Sequence, residues 1–128
     1  MSSRELNHFK RRLSARFDEL REIIRAELLR SDNEHFLDLA GRVHDLEEES
    51  VADLLVDINL AIIDQHVQEI REVERALLRL SAGTYGRCVD CGNEIESARL
   101  EASPSVSRCI VCQSRREGHF AHAGRPKL

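Results

Sequence analysis

Tryptophan is absent, tyrosine occurs once and phenylalanine four times in 128 residues. Aromatic side chains bury the most area per residue, so a chain with this little of them does not fill a broad globular core. Only two prolines occur, Pro104 and Pro126, and neither interrupts the long periodic stretches that precede them. No apolar run approaches the roughly 20 residues needed to cross a bilayer, which excludes a transmembrane helix. The opening residues, Met-Ser-Ser-Arg-Glu-Leu-Asn-His, lack the apolar segment of a secretion signal. The expectation is a cytoplasmic chain of one domain, or of a small domain with an appendage, with no membrane partner.

Charge is neither scarce nor evenly spread. The net value is −4, but residues 1–30 carry +3, residues 31–70 carry −10 and residues 71–128 carry +3. An acidic middle between two basic ends affects solubility and steering, and it argues against a protein whose main business is wrapping nucleic acid.

All four cysteines fall between residues 88 and 112 as Cys88-x2-Cys91, seventeen residues, then Cys109-x2-Cys112. That spacing lies within the window for tetrahedral zinc. Two thiolates on each of two turns close the shell around one ion and leave no position for a reacting water, so the site holds shape rather than doing chemistry. Gly92, directly after the second thiol, suits a tight knuckle that needs φ > 0. The competing readings are two disulfides or four inert thiols. Pairs so close in sequence, with no sign of an oxidising compartment, favour the metal.

Residues 4–30 place Leu6, Phe9, Leu13, Phe17, Leu20, Ile24 and Leu28 at spacings of three and four, the pattern of a helix with one apolar stripe. Ser31-Asp32-Asn33 weakens that helix. Residues 34–49 show no steady period and contain Gly41, so irregular or broken helix is expected there. Ser50-Val51-Ala52-Asp53 reads as a cap that opens a second long helix, with a stripe of Val51, Leu55, Ile58, Ile62, Val67, Ile70, Val73, Leu77 and Leu80 and an end at Gly83. The fold class that follows is mainly α, an antiparallel two-helix coiled-coil hairpin joined to a small four-cysteine zinc-finger module. Residues 1–84 form the hairpin with an acidic tip near 40–50, residues 85–116 the finger with a short C-terminal helix, and residues 117–128 a flexible tail. His119 and His122 read as solvent-exposed tail residues, since four thiols already suffice for the ion.

The finger and its flanks carry a resemblance. Gly83-Thr84-Tyr85-Gly86-Arg87-Cys88-Val89-Asp90-Cys91-Gly92, Arg99-Leu100-Glu101-Ala102-Ser103-Pro104 and Cys109-Ile110-Val111-Cys112 strongly resemble the DksA/TraR family of bacterial transcription factors. The resemblance implies a protein that binds RNA polymerase through its secondary channel, the pore by which nucleotides reach the active site, without sequence-specific DNA contact; a monomer is expected, since the Ser31–Ser50 region breaks the heptads a parallel coiled-coil dimer would need. It also implies an acidic hairpin tip, Asp-x-x-Asp-x-Ala. Counting back from Cys88 without a gap lands on Asp45, Glu48 and Ser50, so Glu replaces the second Asp and Ser replaces the Ala. Tip carboxylates near the polymerase's catalytic magnesium can pair with it or perturb its coordination. Glu47 and Glu49 are expected to solubilise the tip.

Longer relatives resemble one another in sharing guanosine tetraphosphate with the polymerase through basic residues near the hairpin base, a stringent-response property. The equivalent positions here hold Glu72, Ser103 and Gln113. Loss of positive charge there weakens a phosphate contact, so reduced dependence on that alarmone is expected.

Two other functions remain open at this point. A nucleic-acid-binding zinc finger would use Arg87, Arg99, Arg108, Arg115 and Arg116, but the chain lacks the aromatic residues that single-strand platforms need. A thiol redox sensor would release zinc on oxidation, favoured by the arginines beside the ligands. An enzyme is not expected. The acids at Asp45, Glu47, Glu48 and Glu49 have no catalytic Lys or paired His and sit on an exposed turn rather than in a cleft.

Overall fold

In a computed structural model the chain is described over residues 1–47 and 49–124, the last six of these by backbone course alone. The described residues form six helices: α1 (Ser3–Leu29), α2 (Glu34–Asp45), α3 (Val51–Leu54), α4 (Ala61–Ala82), α5 (Ser97–Ala102) and α6 (Ile110–Gly124). Among the described residues the sole β feature is an isolated antiparallel bridge between Arg87 and Glu94.

The start of α1 follows from local chemistry. Ser2 Oγ accepts the Glu5 backbone N–H at 3.2 Å and the Glu5 carboxylate accepts the Ser2 N–H at 3.3 Å, a reciprocal capping box. The expected stripe then does its work: Phe9, Leu13, Leu20, Ile24 and Leu28 are buried, with Leu6 and Phe17 packed partly against the same core. Its principal partner is α4, which buries Ile63, Ile70, Val73 and Ala76. Arg16 donates to both Glu69 carboxylate oxygens, at 2.6 and 2.8 Å, and fixes the register of the pair. At the other extremity Gly83, at φ 77°, ends α4 in the left-handed region, and Thr84 N–H returns to Arg79 O at 2.9 Å, the C-terminal cap that glycine favours. The antiparallel two-helix hairpin is therefore the framework of the molecule, and the finger is attached at its root.

The middle of the chain differs from the sequence reading in three ways. Residues 34–45, expected to be irregular, form α2. Asn33 caps it through Oδ1 on the His35 N–H at 2.8 Å, and Leu39, Ala40 and Val43 are buried. Gly41 lies on the outer face with nothing near it, so it does not disturb the packing. The expected continuous helix from residue 50 to 83 is broken between Leu54 and Ala61. This shifts the apolar phase: Ile63 is 1% exposed and Ile62, assigned to the stripe by periodicity, is 58% exposed.

The third difference concerns the acidic loop. From the Arg16–Glu69 pair, α1 continues thirteen residues to Leu29 and α4 reaches back eight residues to Ala61. Both therefore end away from the finger, and the extremity is made by the turn after α1 and the link before α4. From there α2 folds back along α1 and α3 packs on α4, as short connections demand. Ser50 touches Glu74, thirteen residues into α4, or about 20 Å from its start at 1.5 Å per residue. Leu46, Glu47, Glu49 and Ser50 thus emerge beside the finger-side half of the hairpin, not at its remote end as the sequence reading expects.

Finally, α6 continues through Gly124, so the expected flexible tail from residue 117 is helical over most of its length. The side chains of His119 and His122, and all of residues 125–128, lie outside what is described.

Candidate metal centre and acidic loop

The first cysteine pair sits on a knuckle. Cys88 N–H donates to Asn93 O at 2.8 Å and Gly92 N–H to Cys88 O at 2.9 Å. Gly92, at φ 76°, takes the conformation the turn requires, as expected. The second pair opens α6, where Gln113 N–H donates to Cys109 O at 2.9 Å and Cys112 N–H points at Cys109 Sγ at 3.5 Å. Val89 N–H donates to Ser107 O at 2.9 Å, Arg108 Nε to Asp90 Oδ2 at 2.7 Å, and Arg99 Nε to Arg108 O at 2.9 Å. These three bonds join the two halves of the finger.

All four Sγ atoms lie within 4.8 Å of one another, and Cys91 Sγ is 3.9 Å from Cys109 Sγ. A tetrahedron with Zn–S bonds of about 2.3 Å has edges of about 3.8 Å, so the residues fit one zinc ion. No disulfide joins them. Cys88 and Cys109 are buried, Cys112 is half-buried and Cys91 is exposed.

The thiols differ in acidity. Burial pushes the Cys88 thiol up, but the backbone N–H groups of Cys91, Cys109 and Asp90 bring it down to about 6. Sulfur contacts with Cys109, together with burial, push Cys112 up to about 12. Zinc, when bound, would displace the thiol protons of the four ligands. The centre has the donor set of a closed, structural site.

The finger is tied to the hairpin by residues whose roles are invisible to periodicity. Phe9 and Tyr85 rings lie 5.5 Å apart, and Tyr85 Oη donates to Pro104 O at 2.8 Å. Glu101 accepts Arg12 Nη1 on its backbone oxygen at 2.6 Å and on its carboxylate at 3.2 Å, with His8 Nε2 at 3.1 Å. Leu100 is buried. Within the Arg99–Pro104 segment, Glu101 thus binds the hairpin, while Arg99 donates and Pro104 accepts within the finger.

The acidic residues are differently placed. Asp45 ends α2, is exposed, and has His44 Nδ1 at 3.3 Å. Glu47 and Glu49 are exposed and Glu48 lies outside the described residues. Ser50 Oγ accepts the Asp53 N–H at 3.0 Å, which is the expected cap, and donates to Glu74 Oε1 at 2.9 Å. Of the positions equivalent to basic residues in longer relatives, Glu72 and Ser103 are exposed. Gln113 Nε2 donates to Glu117 at 2.9 Å.

Comparison with known proteins agrees with this architecture. Residues 83–118 match the prokaryotic dksA/traR C4-type zinc finger. The RNA polymerase-binding transcription factor DksA of Caulobacter vibrioides is 30% identical over 119 residues, covering 91% of this chain and 79% of that one. The Salmonella typhimurium protein of the same name is 29% identical over 117 residues, covering 91% and 74%. Among solved structures, transcription factor DksA2 from Pseudomonas aeruginosa superposes with a TM-score of 0.63 at 26% identity, covering 95% of this chain and 90% of that one. The Dks protein of Chlamydia trachomatis, at 22% identity and TM-score 0.52 over 94% and 95%, shares the fold. With a four-thiol centre on a helical hairpin, and a relative 30% identical across nearly its whole length, this chain belongs to the DksA/TraR family of four-cysteine zinc-finger proteins.

Proposed function

We propose that this protein is a regulator of transcription initiation that binds RNA polymerase through the secondary channel and brings Asp45, with its neighbours Glu48 and Ser50, to the region of the catalytic magnesium. The observation that carries this reading is the extent of the likeness. Relatives named for RNA polymerase binding align over 91% of the chain, the helical arm as well as the finger. The action is not enzymatic. A closed four-thiolate shell offers no site for a substrate, and Asp45, Glu47 and Glu49 stand exposed on a loop where they act on a partner's ion rather than hold one in a cleft.

In this reading the protein works as a cytoplasmic monomer and reads no DNA sequence. Arg99 and Arg108, two of the bases a nucleic-acid finger would need, are already engaged within the finger. Among the described residues no helix is long and apolar enough to cross a membrane. Guanosine tetraphosphate contributes little, because Glu72, Ser103 and Gln113 present no positive charge to a phosphate.

The test is co-sedimentation with polymerase core, followed by run-off transcription from a ribosomal RNA promoter with wild type and Asp45→Asn, each with and without the alarmone. Both proteins are expected to bind, and only the wild type to alter initiation, with little change on adding the nucleotide. Failure to bind core contradicts the reading, and strong synergy with the nucleotide contradicts its last part.

A further inference from the structure

The chain between α1 and α4 is folded back on itself, and its acidic loop is tied down. The Glu74 carboxylate accepts Ser50 Oγ–H at 2.9 Å, Val51 N–H at 2.9 Å and Ala52 N–H at 3.3 Å, in a half-buried position. One side chain of the hairpin thereby holds the first turn of α3 and, with it, the residues that immediately follow the acidic loop. The geometry points to a latch: Glu74 stores α2, the loop and α3 against the hairpin, and its release lets them swing outward about residues 30–33 and 55–60. This inference rests on the proposed engagement of polymerase by residues 45–50.

Three observations carry it. First, neither break contains glycine or proline, and among the described residues none other than glycine has positive φ. Leu60, at the start of α4, has no side-chain capping bond. The link before α4 therefore has no local stop and is held by tertiary contact, whereas residues 31–33 carry a local one, with Asn33 capping α2 and Ser31 Oγ accepting the Asn33 N–H, and form a ready hinge. Second, the fold leaves apolar surface uncovered where it bends: Leu29 is 47% and Val56 61% exposed. Val56 lies seven residues before Ile63 and fourteen before Ile70, both buried on α4, so helix continued back through the link turns it onto the covered face. Third, the apolar faces of α2 (Leu39, Ala40, Val43) and α3 (Val51, Ala52) flank the loop on either side. They can meet each other once they leave α1 and α4, so opening does not strand a core in water.

The consequence is reach. Helix α1 alone is about 40 Å long, whereas α1 and α2 laid end to end from Ser3 to Asp45 would reach about 65 Å. Closed, Ser50 is held in the finger-side half of the molecule; open, it leads. Polymerase binding the open form draws the equilibrium toward it, and the apparent affinity is reduced by the fraction of molecules that are open.

The experiment uses the full, zinc-loaded chain as wild type, Glu74→Gln and Ser50→Ala, with zinc content and helicity checked for each. Small-angle X-ray scattering reads the maximum dimension, and run-off transcription reads the concentration giving half the effect. Glu74→Gln should lengthen the particle by on the order of 20 Å and lower that concentration about tenfold. Ser50→Ala, which removes one of the three bonds, should lengthen the particle by less, and is read by its dimensions alone because Ser50 belongs to the proposed contact with polymerase. Should Glu74→Gln lose zinc or helicity, Ser50→Ala and faster amide exchange at Val51 and Ala52 carry the test. Wild-type dimensions in both variants overturn the latch, as does a longer particle that works at no lower concentration. A wild type that fails to bind polymerase sinks the proposed function instead, and the scattering comparison still decides the latch.

Discussion

Extracting the zinc should release the finger and leave the hairpin standing, and the single tyrosine lets the two be read separately. The finger buries three apolar side chains of size, Tyr85, Ile95 and Leu100. At about 1.5–3 kcal/mol each they contribute roughly 5–9 kcal/mol, against about 10–16 kcal/mol for a structural zinc site. The metal is the larger contribution, so its loss should disorder residues 84–112. The hairpin keeps its own core, with Leu20, Ile24, Leu28 and Ile70 fully buried. Burial pushes the Tyr85 phenol up to about 12, opposed by the charges of Arg79 and Arg12. A raised folded-state value means that this group's stabilisation is complete below its unfolded value of about 10 and is lost as pH rises toward 12. Tyrosinate absorbance should therefore titrate near 12 in the zinc-loaded protein and near 10 after chelation, while far-ultraviolet circular dichroism keeps most of its helical signal. A Tyr85 midpoint still near 12 after complete metal removal would refute the assignment of the ion as the finger's main support.

Three further outcomes are expected. Leu20→Ala, at a site with no exposure, should cost about 2–5 kcal/mol in urea unfolding, whereas Ile62→Ala should stay within about 0.5 kcal/mol; similar costs would mean that α4 presents the other face. A double-mutant cycle on Arg16 and Glu69, both partly exposed, should give a coupling of about 0.5–1 kcal/mol that shrinks with salt. Because Arg16's hydrogen bonds hold the Glu69 carboxyl below its ordinary value, that coupling is present above the ordinary carboxylate range and fades as pH falls through the lowered value; a coupling that grows in acid would contradict it. Gly83→Ala meets no neighbouring atom, so its cost of about 1–2 kcal/mol should come from the left-handed backbone alone, visible as a lower melting temperature with unchanged zinc content.

How much of this was legible in the sequence depended on whether the cause was local. The stripe of α1, the helix stop at Gly83, the knuckle at Gly92 and the cysteine spacing are local, and all were readable. Helix α2 was obscured because Leu37 and Gly41 sit on its outer face and blur a real stripe of Phe36, Leu39, Ala40 and Val43. The break before α4 has no glycine, proline or cap to announce it; it exists because Val51, Ala52 and Leu55 pack back onto the hairpin core. The position of the acidic loop inherits that break. Glu74 could not be singled out, since a lone glutamate on an amphipathic helix looks like any solvated residue until the segment it holds is in place. Glu101 and Tyr85 lay within the family-like segments, but their partners His8, Arg12 and Phe9 are some eighty or ninety residues away along the chain.

The most direct test of the account replaces the polymerase's catalytic magnesium with ferrous iron and maps hydroxyl-radical cleavage of the bound, zinc-loaded chain. Cuts concentrated between residues 45 and 50 are predicted. Cuts confined to the finger, or none in a complex shown to have formed, would contradict it.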